Sequence, residues 1–277
     1  CGCHPIRCGN QRLCLDRTPF GAFILSNHKG ALMRTRHIIS SLLVVAALLC
    51  SGAVVRAFSL LGPFAPWQTS AIGYNLPGAT VEEGGPMDLG EDYRITVPIF
   101  TYGFDTSFLT FFGTAGVQAV DNAFAILNSL PSASQINLAN YPAGNAALVN
   151  FQAQALGVRD LKSTVLSIMV QQLGLADPVR YTWTLHDVAP NANNTATNYW
   201  VVRRNFDPVT RFYSSYVNGT LYTYSIRQFT FPLTYTDAVE RTSDPAAETD
   251  RHLPVASTVP APGQFFTGLT RDDVGGL

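Results

Sequence analysis

The amino-acid sequence predicts an α+β fold in which two main helices accompany a mostly antiparallel sheet. Apolar residues recur at helical spacing in two separate stretches, residues 114–130 and 160–173. Alternating strand patterns follow beyond residue 180, and an Asn218-Gly219 pair stands between two aromatic runs, which is a strong hairpin signal. The chain is 47% hydrophobic and 13% charged, with a formal net charge of −1. This composition indicates a globular domain, and it excludes nucleic acid as an expected partner because no basic excess is available to neutralise phosphates.

The start of the chain predicts export. Residues 1–32 are interpreted as an untranslated or non-native upstream segment, because Met33 opens a better beginning. Residues 33–57 have the form of a signal peptide: a positive start, a short apolar run over 38–49, and small residues before the cut. Cleavage after Ala57 is favoured, with Ala53 as the other candidate and a retained signal anchor as the alternative.

This interpretation places the mature protein outside the cytoplasm. We expect it to be secreted or periplasmic, without a stable membrane anchor after cleavage. All five cysteines precede the favoured cut, so the exported part, residues 58–277, would contain no thiol. That part is long enough to bury a core as a single domain without disulfides.

The exported part opens with segments that predict little regular structure. Residues 58–91 are rich in Gly and Pro and predict an extended leader that wraps a surface, with Phe64 and Trp67 as anchors. A strand is expected over residues 93–104, and Pro98 favours an edge position for it.

Each of the two main helices carries capping signals. Thr114 is predicted to cap the first helix, which Pro131 ends. Asp160 is predicted to cap the second, and Gly174 suits a left-handed exit from it. The apolar residues of the second helix that are predicted to share one face are Leu161, Val165, Ile168, Met169 and Leu173.

The rest of the exported part is predicted to be largely β. Strand patterns occur in "RYTWTLHDV", "NYWVVRRNF" and "SSYVNGTLYTYSIRQFTF". Near the end, Thr270 is expected to cap a closing helix, with Asp272 and Asp273 in its first turn. The sequence stops where this helix has just begun, so we expect a truncated C-terminus.

Three pieces of the chain resemble the matrixin-like branch of the metzincin zinc proteases. "YRITVPIFTYGFDTSF" followed by "GVQAVDNAFAILN" is similar to the opening strand and first long helix of that fold. "DLKSTVLSIMVQQLGLAD" resembles the active-site helix with its HExxHxxGxxH pattern, and "GLTRDDVGGL" resembles the closing helix. Two features depart from the family: few residues separate the helices, and a β-rich block stands where a short methionine-bearing turn is expected.

The resemblance implies a scaffold that has lost its zinc. The positions of the two helical histidines fall on Ser167 and Gln171, the general-base position on Ile168, and the third ligand position on Asp177. The pattern's glycine is kept as Gly174. A hydroxyl, an amide and an aliphatic group cannot replace two imidazoles and a carboxylate base, so no metal and no cofactor is expected. The resemblance implies a vacated cleft at these four positions.

The whole chain also resembles a group of exported bacterial proteins without an assigned activity. The phrases "GPMDLGEDYRI", "RNFDPVT" and "YVNGTLY" carry this likeness. It implies export and no particular reaction.

Other polar and aromatic residues are candidates for alternative sites. His186 and Asp187 are adjacent and could belong to a hydrolase, but no GxSxG motif supplies a nucleophile.

The acid pairs Glu82-Glu83, Glu91-Asp92 and Asp272-Asp273 are interpreted as solvated or capping. Six aromatic residues could form a flat sugar- or peptide-binding face or could simply pack: Trp183, Trp200, Tyr213, Tyr216, Tyr222 and Tyr224. Asn193 and Asn218 lie in sequons.

The sequence therefore predicts a non-catalytic exported protein that acts as a binding or structural component. Its partner would be an extracellular protein or a glycan. The alternatives are a secreted hydrolase with an unrecognised active site and a subunit of a surface layer or filament.

Overall fold

The structure is a computed structural model, and all the residues it describes belong to one compact unit, Val54–Leu277. The described residues are 57–76, 84–91, 99–144, 146–193, 195–230, 233–247, 249, 252–257 and 259–277. The expected upstream segment 1–32 and all of the expected signal peptide except Ala57 lie outside them. Among the described helices, none combines the length and apolarity that crossing a membrane requires.

The described residues contain four α-helices and eleven strands, which confirms the α+β class. The helices are α1 (Thr106–Asn128), α2 (Phe151–Ala155), α3 (Leu161–Gln172) and α4 (Arg271–Gly276). The strands are β1 (Phe58–Gly62), β2 (Gly85–Met87), β3 (Ala147–Val149), β4 (Leu175–Ala176), β5 (Thr184–Pro190), β6 (Thr197–Val202), β7 (Asn205–Phe206), β8 (Tyr216–Val217), β9 (Thr220–Phe229), β10 (Tyr235–Thr242) and β11 (Gln264–Phe266).

The strands form several small sheets, and every described pairing is antiparallel. In the largest sheet, β1 pairs with β2, β4 and β7. The others are β8-β9-β10, β5-β6 and β3-β11. The expectation that residues 58–91 wrap a surface is wrong for β1, which is a central strand whose residues are almost all buried. The apolar run of β1 explains this position, because a strand covered on both faces has no polar face to alternate.

Two apolar clusters fill the interior. The first lies around α3, β1, β7 and β11, and its largest buried side chains are Phe58, Leu166, Phe206 and Phe266. The second joins the turn at residues 70–74 to β5 and β10 through Ile72, Tyr74, Tyr181, Leu185 and Ala238.

Helix α1 is longer than predicted and is bent. It begins at Thr106 instead of Thr114, because Asp105 Oδ1 accepts the Ser107 N–H and caps the start. Gly113, taken as the residue before the helix, lies inside it with φ +57° and ψ −153° and divides it into two halves. Residues 99–104, expected as part of a strand, form none, and residues 93–98 of that expected strand lie outside the described part.

Helix α3 has the predicted ends but a different buried face. Asp160 caps it by accepting the Ser163 N–H, and Gly174 leaves it at φ +98°. The predicted apolar face is wrong: Ile168 is 42% exposed, while the buried residues are Ser163, Leu166, Ser167 and Val170. Two of these buried residues are serines. The position of Ser163 has a clear cause, because its Oγ accepts the N–H of Phe266 in the neighbouring strand β11 at 2.7 Å.

The predicted hairpin and closing helix are confirmed. Asn218 and Gly219 connect β8 to β9 with φ +44° and +85°. Gly219 is exposed, but Asn218 is packed inside at 1% exposure and its Nδ2 donates to the His252 carbonyl, so its sequon is not a surface site. Thr270 caps α4 in a reciprocal capping box with Asp273.

Candidate functional site

The structure separates the four positions of the predicted vacated cleft. Ser167 is fully buried, whereas Ile168, its neighbour in the chain, points to solvent. Gln171 is half-buried, and its Nε2 donates to the Ala256 carbonyl at 3.1 Å, so the segment 255–257 lies against this side of α3. Asp177 accepts the Val179 N–H at 2.8 Å and shapes the loop beyond the helix.

A shallow cavity of about 160 Å³ adjoins the start of α3, between Asn150, Arg159 and Gly263, and none of the four positions lines it. No group of three His, Cys, Asp or Glu side chains in the described part of the chain is placed to hold a metal ion. The four predicted cleft positions therefore do not form a binding or catalytic site in the described structure.

Asp177 belongs to a buried charge cluster that includes Arg180, Asp237 and Glu240. Arg180 Nη2 donates to Asp237 Oδ2 at 2.8 Å, and Arg180 Nη1 to Glu240 Oε1 at 3.3 Å. The Tyr74 ring lies 5.9 Å from the guanidinium carbon. The cluster ties the loop before β5 to strand β10 and the turn at residues 70–74.

Burial controls protonation within this cluster. Removal from water raises the pKa of Glu240 to about 8, although Arg180 opposes the rise. Desolvation likewise raises the pKa of Asp177 to about 6. Arg180 stays charged: burial favours its neutral form, but the two carboxyls raise its pKa. The role of the charge cluster is therefore structural: it holds the loop before β5 against strand β10 and the turn at residues 70–74.

The His186 alternative gains no support from its surroundings. The imidazole stacks on the Trp67 ring at 4.5 Å, while Asp187 Oδ1 accepts the N–H of Val188 instead of approaching the histidine. Among the described residues no serine or carboxylate hydrogen-bonds to His186. A packed strand histidine accounts for this geometry.

The aromatic residues of β5 to β9 are mostly engaged in packing. Trp183 Nε1 donates to the Tyr222 carbonyl at 3.0 Å, and Tyr222 is buried. Tyr213 donates its hydroxyl to Asp88 at 2.9 Å. Trp200 is half-exposed but lies on the separate β5-β6 sheet. These residues do not combine into one flat binding face.

The acid pairs do not form a catalytic site in the described residues. Asp272 and Asp273, expected to be solvated or capping, are both 1% exposed. Asp273 is a cap, and its two oxygens also accept the N–H groups of Val255 and Ala256. The prediction that these two acids are solvated is therefore wrong, whereas the prediction of a cap is confirmed for Asp273. Glu91 caps the local turn at Asp88, and the remaining acids of the other pairs lie outside the described residues.

The most unusual feature of the surface is an apolar row formed by residues 99–112, which we call the aromatic surface. It comprises the segment before α1 and the first half of α1. Its exposed fractions reach 82% for Phe111 and 76% for Ile99. The other members that are at least 40% exposed are Phe100, Tyr102, Leu109 and Phe112.

Ring contacts make this surface continuous. Phe104 stacks on Phe108 at 5.3 Å between ring centroids, Phe108 meets Phe112 at 4.8 Å, and Phe112 meets Phe111 at 4.7 Å. Tyr102 touches Phe104 at the other end. Phe108 and Phe112 are four residues apart and so lie along one side of the first half of α1, and Phe104 extends this row just before the helix begins.

The second half of α1 anchors the aromatic surface to the core. Tyr102 stacks on Phe124 at 4.1 Å and donates its hydroxyl to Asp121 at 2.7 Å, which fixes the segment before the helix. Ala123 is buried in the core cluster that includes α3, and Val120 is also buried. The anchored half therefore presents the exposed half at a set position.

Sequence reasoning missed the aromatic surface, although a signal was available. The spacing of Phe104, Phe108 and Phe112 is helical, but the predicted helix begins only after Gly113, and the predicted strand extends to Phe104. The Asp105-Thr106-Ser107 capping sequence would have placed the start correctly.

Comparison with known proteins supplies no relative from which a function could be inferred. No protein-family model matches the chain, and no curated protein or solved structure matches it either.

Proposed function

We propose that the protein is a non-catalytic exported component that associates with copies of itself through the aromatic surface. The exposure of Phe111, Ile99 and their neighbours is the observation that carries this proposal. Contiguous exposed apolar surface is unfavourable in water, and in folded proteins it marks contact sites. The resemblance of the scaffold to metzincins is a prediction from the sequence, and self-association does not depend on it.

The chemistry of the aromatic surface limits its occupant. Residues 99–112 contain no Lys or Arg that would attract anionic lipid, and Asp105 is their only charged residue. Five of its six rings belong to phenylalanine, which offers a glycan no hydroxyl. An apolar protein face therefore fits best.

A second copy of the chain is the partner that these properties favour. The exported part, residues 58–277, carries 11 Lys and Arg against 18 Asp and Glu, but Asp105 is the only one of these charges within the aromatic surface, so electrostatic repulsion at the contact itself is small. The same apolar row on each copy can bury itself against the other in a two-fold contact, in which one patch serves both sides.

Sedimentation velocity over a range of concentrations tests the proposal. The wild-type protein should change from monomer to dimer, and Phe111→Ser should weaken the association. Burying a Phe side chain stabilises by about 1.5–3 kcal/mol, which corresponds to a loss of at least about tenfold in affinity. Phe212→Ser is the matched control, since Phe212 is 75% exposed but lies outside the aromatic surface.

Three outcomes would contradict self-association through the aromatic surface. A wild-type protein that stays monomeric at hundreds of micromolar, or a Phe212→Ser effect equal to that of Phe111→Ser, contradicts the proposal. Co-sedimentation of a monomeric protein with phosphatidylcholine vesicles would assign the surface to a membrane and would also overturn it.

A further inference from the structure

The carboxylate of Asp272 lies buried with one oxygen unsatisfied. Asp272 is 1% exposed, and its Oδ2 accepts the N–H of Asn218 at 2.5 Å. Its Oδ1 has no hydrogen-bond partner among the described residues. Native proteins rarely leave a buried carboxylate oxygen unpaired, because the desolvation penalty is large.

The backbone near this carboxylate is that of Ala57, at the predicted end of the signal peptide. Ala57 is fully buried, and its backbone lies near enough to lower the pKa of Asp272, although no hydrogen bond of ordinary geometry reaches Oδ1. Phe58 follows at 7% exposure, and a Cβ added at Gly276 would lie 3.0 Å from the Phe58 Cβ. The start of β1 is therefore held directly against α4.

We propose that signal-peptide cleavage after Ala57 creates an α-ammonium group on Phe58 that pairs with Asp272 and completes the core. Signal peptidase uses water to break the Ala57–Phe58 amide bond, which leaves a carboxylate on Ala57 and an amino group on Phe58 that takes up a proton. An extended chain advances about 3.5 Å per residue. The new amine thus starts one residue from the Ala57 nitrogen and has the space that Ala57 vacates.

The surrounding charges favour this pairing. Asp273 lies beside Asp272 and adds a second negative charge, while Arg271 partly offsets it. Desolvation is the main cause that raises the pKa of Asp272 to about 7 in the uncut chain. His252 is one step removed, since its Nδ1 contacts the Asn218 carbonyl at 3.2 Å. An ammonium group supplies both a positive charge and donors for the unsatisfied oxygen, so it stabilises the ionised carboxylate.

The pairing predicts a protected amine with a raised pKa. The α-amino group ordinarily titrates at about 7.7–8.0, and a rise of one unit lowers its free-amine fraction about tenfold at neutral pH. Because the folded-state pKa exceeds the unfolded one, the extra stability is complete below pH about 8 and is lost as the pH rises through the folded value.

The experiment uses the protein exported from the full-length gene. Mass spectrometry should identify Phe58 as its first residue. Labelling of the α-amine by a succinimidyl ester at pH 7.5 should be at least tenfold slower in the folded protein than in urea, and Asp272→Asn should remove most of this protection. Asp273→Asn is the matched control, because it removes a buried cap but should leave the amine protected.

Three results would overturn the pairing: a mature chain that begins at Val54, equal labelling rates in the folded and unfolded protein, or equal protection with Asp272→Asn. If Asp272→Asn does not fold, the wild-type comparison between folded and unfolded protein still decides the matter. The proposal depends on export with cleavage after Ala57 and is independent of self-association, so either can fail without the other.

Discussion

Replacing Arg180 by Met should destabilise the fold strongly, because it leaves the buried carboxyls of the charge cluster without a cation. Arg180 is the only base that bridges Asp237 and Glu240 among the described ion pairs, and both acids have side chains 11% exposed. Removing one partner of a buried pair costs about 3–5 kcal/mol. The Arg180 side chain is 21% exposed, so we expect the lower end of that range, about 3 kcal/mol at pH 7.5.

The loss should depend on pH in a defined direction. The substitution leaves Asp237 and Glu240 without their cation, and burial already raises the pKa of Glu240 to about 8. A buried acid without a cation has a raised pKa and can protonate at pH 5, which relieves the penalty. Urea unfolding should therefore give a smaller Arg180→Met effect at pH 5 than at pH 7.5.

The control for this experiment is Arg227→Met, an exposed residue of β9. Its effect should stay within about 0.5 kcal/mol at both pH values. An Arg180→Met loss below 1 kcal/mol at pH 7.5, or a loss that is equal at the two pH values, would refute the electrostatic reasoning.

Two further substitutions test the packing around α1 and α3. Gly116→Ala would place a Cβ 2.3 Å from the Phe112 Cβ, so the halves of α1 must separate; we expect a cost of about 1–3 kcal/mol in thermal unfolding, and none for Gly103→Ala, where the added Cβ meets nothing within 4 Å. Equal melting temperatures for the two variants would show that the bend tolerates a side chain. Ser163→Ala removes the acceptor of the buried Phe266 N–H and should cost about 1–3 kcal/mol in urea unfolding, whereas Ser129→Ala on the exposed end of α1 should be nearly neutral. A neutral Ser163→Ala would mean that this hydrogen bond contributes nothing net.

The sequence predicted those features whose cause is local. Asp160, Thr270 and the Asn218-Gly219 pair act through their own backbone neighbourhoods, and the structure confirms all three. The α+β class followed from the periodicities. The start of α1 was missed because Gly113 looked like a boundary, although a bent helix can continue through a glycine with positive φ.

The buried face of α3 could not be predicted from apolarity alone. Ser163 is inside because strand β11 needs a hydrogen-bond acceptor there, and that requirement comes from a residue about a hundred positions away. The same holds for the charge cluster, where Arg180 meets Asp237 only after the chain has folded. Long-range pairing of this kind leaves no periodic pattern in the sequence.

The most direct test of the central claim is hydrogen–deuterium exchange of the wild-type protein at low and high concentration. Peptides that cover residues 99–112 should gain protection as the concentration rises, because a second copy then covers the aromatic surface. Peptides around Phe212, which is exposed elsewhere, should not change. Protection that is the same at both concentrations in residues 99–112, or that is gained only in another region, would contradict the proposed contact.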